Sequence, residues 1–437
     1  MPVSLAHEYL ARFIFLNWGL CRVSTTDNVD PAQLPAYPMA RGCPLHPPAE
    51  YAELSTQKPV SRAVLPSGKP VWLVASHELV KEILTDPRVS SNRFHSGFPH
   101  QFRRVQTAAQ QTEQTKQSSA VIGRAFGVDG AEHAGRKRLV VPEFTVRRVQ
   151  AFRPRIQEIV DDVLDEMTAA GSPAELMSAF ALPVPSRVIC ELLDVPLADR
   201  QYFLDRTTTM VDQSTTVEQR QQANIDVLAK LDGLIRAKED DPADDVLGRI
   251  VRRNVELGVL DHDEIVGVAA FLLISGFETT ANMIAMGTLG LLENPDQLEL
   301  LAEDPGLAGS AVDELLRYFS VSDPAGSRVA TEDIELGGVT IPAGEGVIAL
   351  AGAANWDPQV FDRPERLDIR RKARGHLAFG HGAHQCIGLH LARLELEVVF
   401  GTLFRRLPGL RVTAPVDDLR YKVGANIYGV HEVPVAW

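Results

Sequence analysis

Cys386 is set among glycines. The stretch 376–396, HLAFGHGAHQCIGLHLARLEL, carries the spacing Phe379-Gly380-x-Gly382-x-His384-x-Cys386-x-Gly388. An amphipathic helix follows at once, with Ile387, Leu391, Leu394 and Val398 on one face. Glycines let a loop reach positive φ and turn its N–H groups inward. A cysteine at the mouth of a helix is stabilised as thiolate by the dipole and the free N–H groups. Gly388 removes a side chain beside it, so something flat can approach. The chemistry this pattern supports is thiolate ligation of a metal in a flat macrocycle. Zinc is the competing reading, because His376, His381, His384, Cys386 and His390 lie close together. Structural zinc sites, however, pair their ligands on tight knuckles, often with several cysteines.

A second constellation lies in DHDEIVGVAAFLLISGFETTANMIAMGTLGLLENP. Asp261 and Glu264 form a capping box, and Asn294-Pro295 stops the helix. From Ile265 to Leu292 the only charge is Glu278. A membrane span would place that acid in the bilayer at high cost. The segment is therefore expected to run through the middle of a large globule. Glu278, beside Thr279 and Thr280, is then a buried acid next to hydroxyls, suited to proton delivery. Gly276 is expected to weaken the helix locally and leave room for a small ligand. Farther on, Glu314 and Arg317 share a helical face at i and i+3. Such a pair alone is commonplace on surfaces. Its weight comes from order: the acid-hydroxyl helix, Glu-x-x-Arg, Pro364-Glu365-Arg366, then the cysteine loop.

These groups need a scaffold. The chain has 437 residues, 45% apolar and 23% charged, with no linker, repeat or low-complexity tract, which favours one large domain with a deep core. Helical periodicity dominates. A helix ends at Gly171, and another spans 219–239. Hairpins are expected in 60–75, around Pro66-Ser67-Gly68-Lys69, and in 331–350, around Gly337-Gly338. The glutamine-rich stretch 95–120 reads as a surface loop or a lid over a pocket. A net charge of −13 disfavours nucleic acid. Cys21, Cys43, Cys190 and Cys386 show no paired spacing, which fits a reducing compartment. The apolar run Phe13–Leu20 is too short to span a bilayer.

In that order the four motifs resemble the cytochrome P450 superfamily of haem-thiolate monooxygenases, in particular soluble bacterial members of the actinomycete type. The resemblance runs from about Pro31 to Trp437. It implies a mainly α fold with small β-sheets, a single large domain over 26–437 with buried haem b, and an appendage at 1–25. It implies that Cys386 is the axial ligand of the haem iron, with Phe379 and Gly388 beside the cofactor. Glu278 and Thr279 match the acid–alcohol pair, and Glu314, Arg317 and Arg366 the structural triad. His133, Lys137, Arg328 and His376 match positions that hold the haem propionates.

Three departures stand out. Lys137 replaces the usual arginine, offering a point charge instead of a fork, with Arg136 as a stand-in. Ser275 replaces a usual alanine. Trp356 sits where relatives often carry arginine. The implied activity inserts one oxygen atom of dioxygen into a C–H bond of a small hydrophobic substrate, in secondary metabolism or xenobiotic oxidation. No flavin- or NAD-binding glycine motif follows a strand. Electrons are therefore expected from a ferredoxin served by a separate ferredoxin reductase, docking on residues 136–138 and Arg147-Arg148. The expected protein is a cytoplasmic monomer with no membrane and no nucleic-acid partner. The substrate pocket is expected from the glutamine-rich loop, residues 200–218, Val321 to Ser327 and Ile427-Tyr428. A haem sensor and a peroxide-driven enzyme are the alternatives, and the acid–alcohol pair argues against both.

Overall fold

The computed structural model describes residues 33–100, 122–211, 215–425 and 427–437. The expected appendage at 1–25, Cys21 and the glutamines from Gln101 to Gln117 lie outside the described residues.

The helical periodicity is realised as a mainly helical fold. Seven helices line or back the site: α1 (Gly130–Val140), α2 (Arg153–Ala170), α3 (Pro183–Leu192), α4 (Val217–Asp240), α5 (His262–Leu292), α6 (Ala308–Phe319) and α7 (Leu389–Arg406). Helix α5 begins at the predicted capping box. Glu264 N–H donates to Asp261 at 2.9 Å, and Asp261 N–H donates to Glu264 at 3.1 Å. At 31 residues it is about 46 Å long. Its length and hydropathy would suffice to cross a membrane, yet 61% of its most apolar window is buried inside the protein. It packs against α3, α4, α6 and α7. Two glycines permit that closeness: a Cβ at Gly287 would stand 2.4 Å from Phe400 of α7, and one at Gly290 2.6 Å from Phe319 of α6. The main apolar core surrounds α5 and draws on residues from Ala125 to Val435.

A five-stranded sheet flanks the helices. Strands β1 (Val60–Val64) and β2 (Pro70–Val74) form the expected hairpin, with Val60 opposite Val74. With β3 (Val89–Ser90), β4 (Ser327–Ala330), β5 (Ile334–Leu336), β6 (Val339–Ile341) and β7 (Gly346–Ala349) defined, the order is β1-β2-β7-β4-β3. Gly337-Gly338 closes only the short β5–β6 hairpin. Strand β7 leaves that hairpin to pair in parallel with β2 and antiparallel with β4. The difference from the expectation has a position-specific consequence: β4 brings Arg328 into the interior.

Candidate active site

Helix α5, α7, the cysteine loop and β4 enclose a cavity of about 680 Å³. Ser275, Gly276, Thr279, Thr280 and Met283 of α5 line one wall, and Cys386 opens into the same space. Helix α5 runs unbroken through Gly276. The glycine is explained by packing: a Cβ there would meet Ile189 of α3 at 3.1 Å. The hydroxyls of Ser275, Thr279 and Thr280 each donate to the carbonyl four residues earlier, at 2.6, 3.0 and 3.3 Å. Their lone pairs are left for acceptance. Glu278, the neighbour of Thr279, does not line the cavity. A helix turns about 100° per residue, and this turn puts the acid against Lys422, with Nζ 3.3 Å from Oε1. Burial pushes the Glu278 carboxyl up, and Lys422 opposes the shift.

The cysteine loop is wound as its glycines predict. Gly380 and Gly382 have φ of +68° and +73°, and Cys386 N–H donates to the Phe379 carbonyl at 2.9 Å. Helix α7 starts three residues after the thiol. Burial pushes the Cys386 thiol up, while the Gly388 N–H and the Lys137 ammonium act in the opposite direction. Gly388 itself has an ordinary φ of −82°. What it provides is space: the nearest atom to an added Cβ would be the Cys386 sulfur, at 4.0 Å. Phe379 lines the cavity beside the thiol.

Two guanidiniums and two imidazoles gather at the cavity rim. Arg328, Arg93, His133 and His384 line the cavity. The His133 and His384 rings stand 4.0 Å apart. Burial, with help from His384 and Lys137, lowers His133 to about 4, and burial lowers Arg328 to about 10. Asp129 is half-buried, and hydrogen bonds from His384, Ser90 and Ser91 overcome its desolvation and hold its carboxyl well below the usual range.

Several assignments shift here. His376 does not face the cavity. It lies behind the wall, its ring 5.6 Å from Phe379 and its Nδ1 accepting the Ala378 N–H. The histidine that reaches the rim is His384, two residues before the cysteine. Arg136 is 1% exposed and is held by Glu132 and Glu264 at 2.6 Å each, so it cannot stand in for Lys137. Lys137 itself donates to the Ala383 carbonyl at 2.8 Å, on the cysteine loop. Glu314 and Arg317 pair as expected, but the second guanidinium on Glu314 is that of Arg371, at 3.1 Å. Arg366 contributes its backbone carbonyl, which accepts from Arg371 at 3.1 Å. Of the expected pocket segments, Val321, Ser322, Gly326, Ser327 and Ile427 line the cavity, while the described residues of 200–218 and Tyr428 do not. Arg93 was not foreseen, because an isolated arginine in a loop gives no periodic signal.

A model of the cytochrome P450 family matches residues 307–410. Cytochrome P450-SOY of Streptomyces griseus is 44% identical over 421 residues, covering 95% of this chain and 99% of the relative. The chain belongs to the cytochrome P450 family. Vitamin D3 dihydroxylase of Streptomyces griseolus is likewise 44% identical, over 92% of this chain and 97% of its own. The crystal structure of cytochrome P450 MoxA from Nonomuraea recticatena superposes with a TM-score of 0.83 at 48% identity, covering 92% of this chain and 98% of that one. The expected fold and reaction class are thereby borne out. This P450 is a haem b monooxygenase that inserts one oxygen atom of dioxygen into a C–H bond of a small apolar substrate.

The residues present fit haem b. The Arg93 guanidinium enters the cavity beside Arg328, and burial lowers it without any carboxylate partner among the described residues. Two neighbouring guanidiniums in an enclosed space call for anions, and the haem carries two carboxylates. Arg93, Arg328, His133 and His384 would hold them, and Cys386 would hold the iron in the space that Gly388 keeps open. Bound there, haem b supplies the iron and the oxidising power, with the thiolate favouring O–O cleavage. The chain supplies apolar walls that exclude water, and hydroxyls at Ser275 and Thr279 that can accept or pass a proton.

Proposed function

We propose that this P450 oxidises an apolar molecule held against Phe98, Phe126, Ile189, Phe271, Val321 and Ile427, with protons passing from Glu278 to Thr279. The observation that carries this reading is that the Thr279 hydroxyl and the Cys386 thiol face one cavity, with the buried acid Glu278 next in sequence. Vitamin D3, for which one relative is named, is an apolar molecule of this general class, and only the class is extended to this chain. A screen for compounds that move the ferric haem spectrum toward high spin identifies the substrate. In Thr279→Ala, haem and substrate binding should persist while reducing equivalents leak to peroxide. Coupling of NADPH to product should fall by about a hundredfold, the lower end of the roughly 10²–10⁴-fold that positioned proton transfer contributes. Unchanged coupling in that variant removes Thr279 from the path.

Electrons arrive from a small acidic ferredoxin served by a separate reductase, and the P450 acts as a monomeric haem domain, from about residue 26 to 437, in the cytoplasm. The docking face lies on the cysteine side, where Lys137 ties α1 to the loop. Arg138 and Arg147 are exposed there, around Val141 and Val146 at 40% and 53% exposure. Arg136 is buried, and Arg148 leans on Glu143 at 3.6 Å. Reversing Arg138 and Arg147 together should slow ferredoxin-supported first-electron transfer and leave dithionite reduction intact. The wild-type rate should also fall with salt, since the screening length shortens from about 10 Å at 0.1 M to about 3 Å at 1 M. Stopped-flow traces with equal rates and equal salt slopes would take these arginines off the docking face.

A further inference from the structure

A second cavity, of about 320 Å³, lies between the segment 143–152, the end of α3 and the start of the helix Val246–Leu257. Its volume falls in the range of small-molecule sites, about 300–1,000 Å³. Phe144, Val149, Phe152, Leu192, Val246 and Leu391 give it apolar walls. Phe144 and Leu391 also line the haem cavity, so these two side chains are a wall common to both spaces. Arg148 and Asp194 are exposed at the rim, where the space opens to solvent.

Four acids line the second cavity, and each already has its cation. Arg249 and Arg253 hold Glu143 at 2.7 Å each. Arg155 and Arg200 hold Glu191 at 2.5 and 2.9 Å. Lys238 holds Asp194 at 2.6 Å and Asp245 at 2.5 Å. A cationic guest would have to displace one of these partners. Of the two lining arginines, Arg249 is committed, since it also donates to the Asp244 carbonyl at 2.6 Å. Arg148 stands 3.6 Å from Glu143, beyond hydrogen-bond length, and its side chain is 42% exposed. Glu143 keeps two guanidiniums when Arg148 turns away. Among the described residues, Arg148 is therefore the lining charge that a guest can take without breaking a hydrogen bond.

We infer that this cavity is a second small-molecule site, separate from the haem cavity, and that it takes a carboxylate carried on an aromatic body. The aromatic body packs against Phe144, Phe152 and Leu391, where ring-on-ring contact adds to apolar burial. The carboxylate takes the Arg148 guanidinium at the mouth, whose forked donors suit a planar anion. The shared wall of Phe144 and Leu391 sets the guest beside the haem cavity without letting it enter.

For the test, the haem-loaded protein is first saturated with clotrimazole, whose imidazole ligates the iron and closes the haem cavity to other guests. 2-Naphthoate is then titrated in and followed by calorimetry. It should bind saturably, one per chain, with the azole spectrum unchanged. Removing the charge from the guest, as 2-naphthamide, or from the site, as Arg148→Gln, should each raise Kd about tenfold. That is the low end for a hydrogen bond to a charged group, as befits a part-exposed guanidinium. Ala151 lines the same space from the solvent-facing end of a short helix. Ala151→Trp should fill the cavity and abolish binding, while the azole and reduced carbon monoxide spectra stay as in wild type. No saturable binding to the azole-loaded protein overturns the site. Binding retained in Ala151→Trp puts the naphthoate elsewhere and overturns it too. Equal affinities for naphthoate and naphthamide, or for wild type and Arg148→Gln, overturn the assignment of a carboxylate guest.

Discussion

Cys386→Ser should abolish the thiolate-type absorption of the reduced carbon monoxide complex and bring turnover to background. Serine nearly matches cysteine in shape, and the loop is held by its backbone, through Gly380, Gly382 and the 2.9 Å bond from Cys386 N–H to Phe379. The fold should therefore survive the change. The lost element is the soft anionic ligand that pushes electron density toward the iron, because a serine hydroxyl does not ionise near neutral pH. Cys190 is buried in the apolar core, where burial raises it to about 12. Neither it nor the half-buried Cys43 lines the cavity. Variants at those two positions should keep the absorption. A normal spectrum in Cys386→Ser would transfer the ligand role elsewhere.

The largest stability effect is expected at Glu314. Its carboxylate and the Arg317 side chain are fully buried. Arg317 donates to both carboxylate oxygens at 2.8 Å, and Arg371 and the Asp368 N–H add bonds at 3.1 Å each. Arg317 also donates to the Asn355 carbonyl at 2.9 Å, and the Asn355 amide oxygen accepts the Leu377 N–H at 2.6 Å. The cluster therefore fastens the approach to the cysteine loop. Glu314→Ala leaves a buried guanidinium without its anion, a change that costs about 3–5 kcal/mol, against a typical domain stability of about 5–15 kcal/mol. Thermal unfolding should move down sharply, and haem should be retained poorly. Arg366→Ala keeps the carbonyl that Arg371 uses and should cost less than about 1 kcal/mol, as is usual for surface substitutions. Similar losses in the two variants would make Arg366 the true third member.

The parts of the site that were legible in sequence are those built from contiguous residues. The cysteine loop is one short run, and its glycines prescribe its path. The long central helix announces itself by a cap, a stop and a single charge in an apolar stretch. What sequence could not supply was the direction of individual side chains. His376 and His384 are eight residues apart with glycines between them, and the winding of Gly380 and Gly382 decides which faces the cavity. Arg366 and Arg371 share a meandering segment, and only its folded course shows which guanidinium turns inward. Lys422, 144 positions from Glu278, offers no local signal at all. Gly276 illustrates a different limit: a glycine that suggests a helix defect was there to admit Ile189.

Helix α5 is two different structures end to end. From Ala281 to Leu291 every residue is buried, and Phe400 and Phe319 press against its glycines. From Phe271 to Thr280 one face borders open cavity. Amide hydrogens in the first part can exchange with solvent only when the whole domain opens, whereas those in the second lie where smaller excursions suffice. Breathing that admits a bulky guest can thus be confined to one end of a single rod while the other end keeps the protein folded.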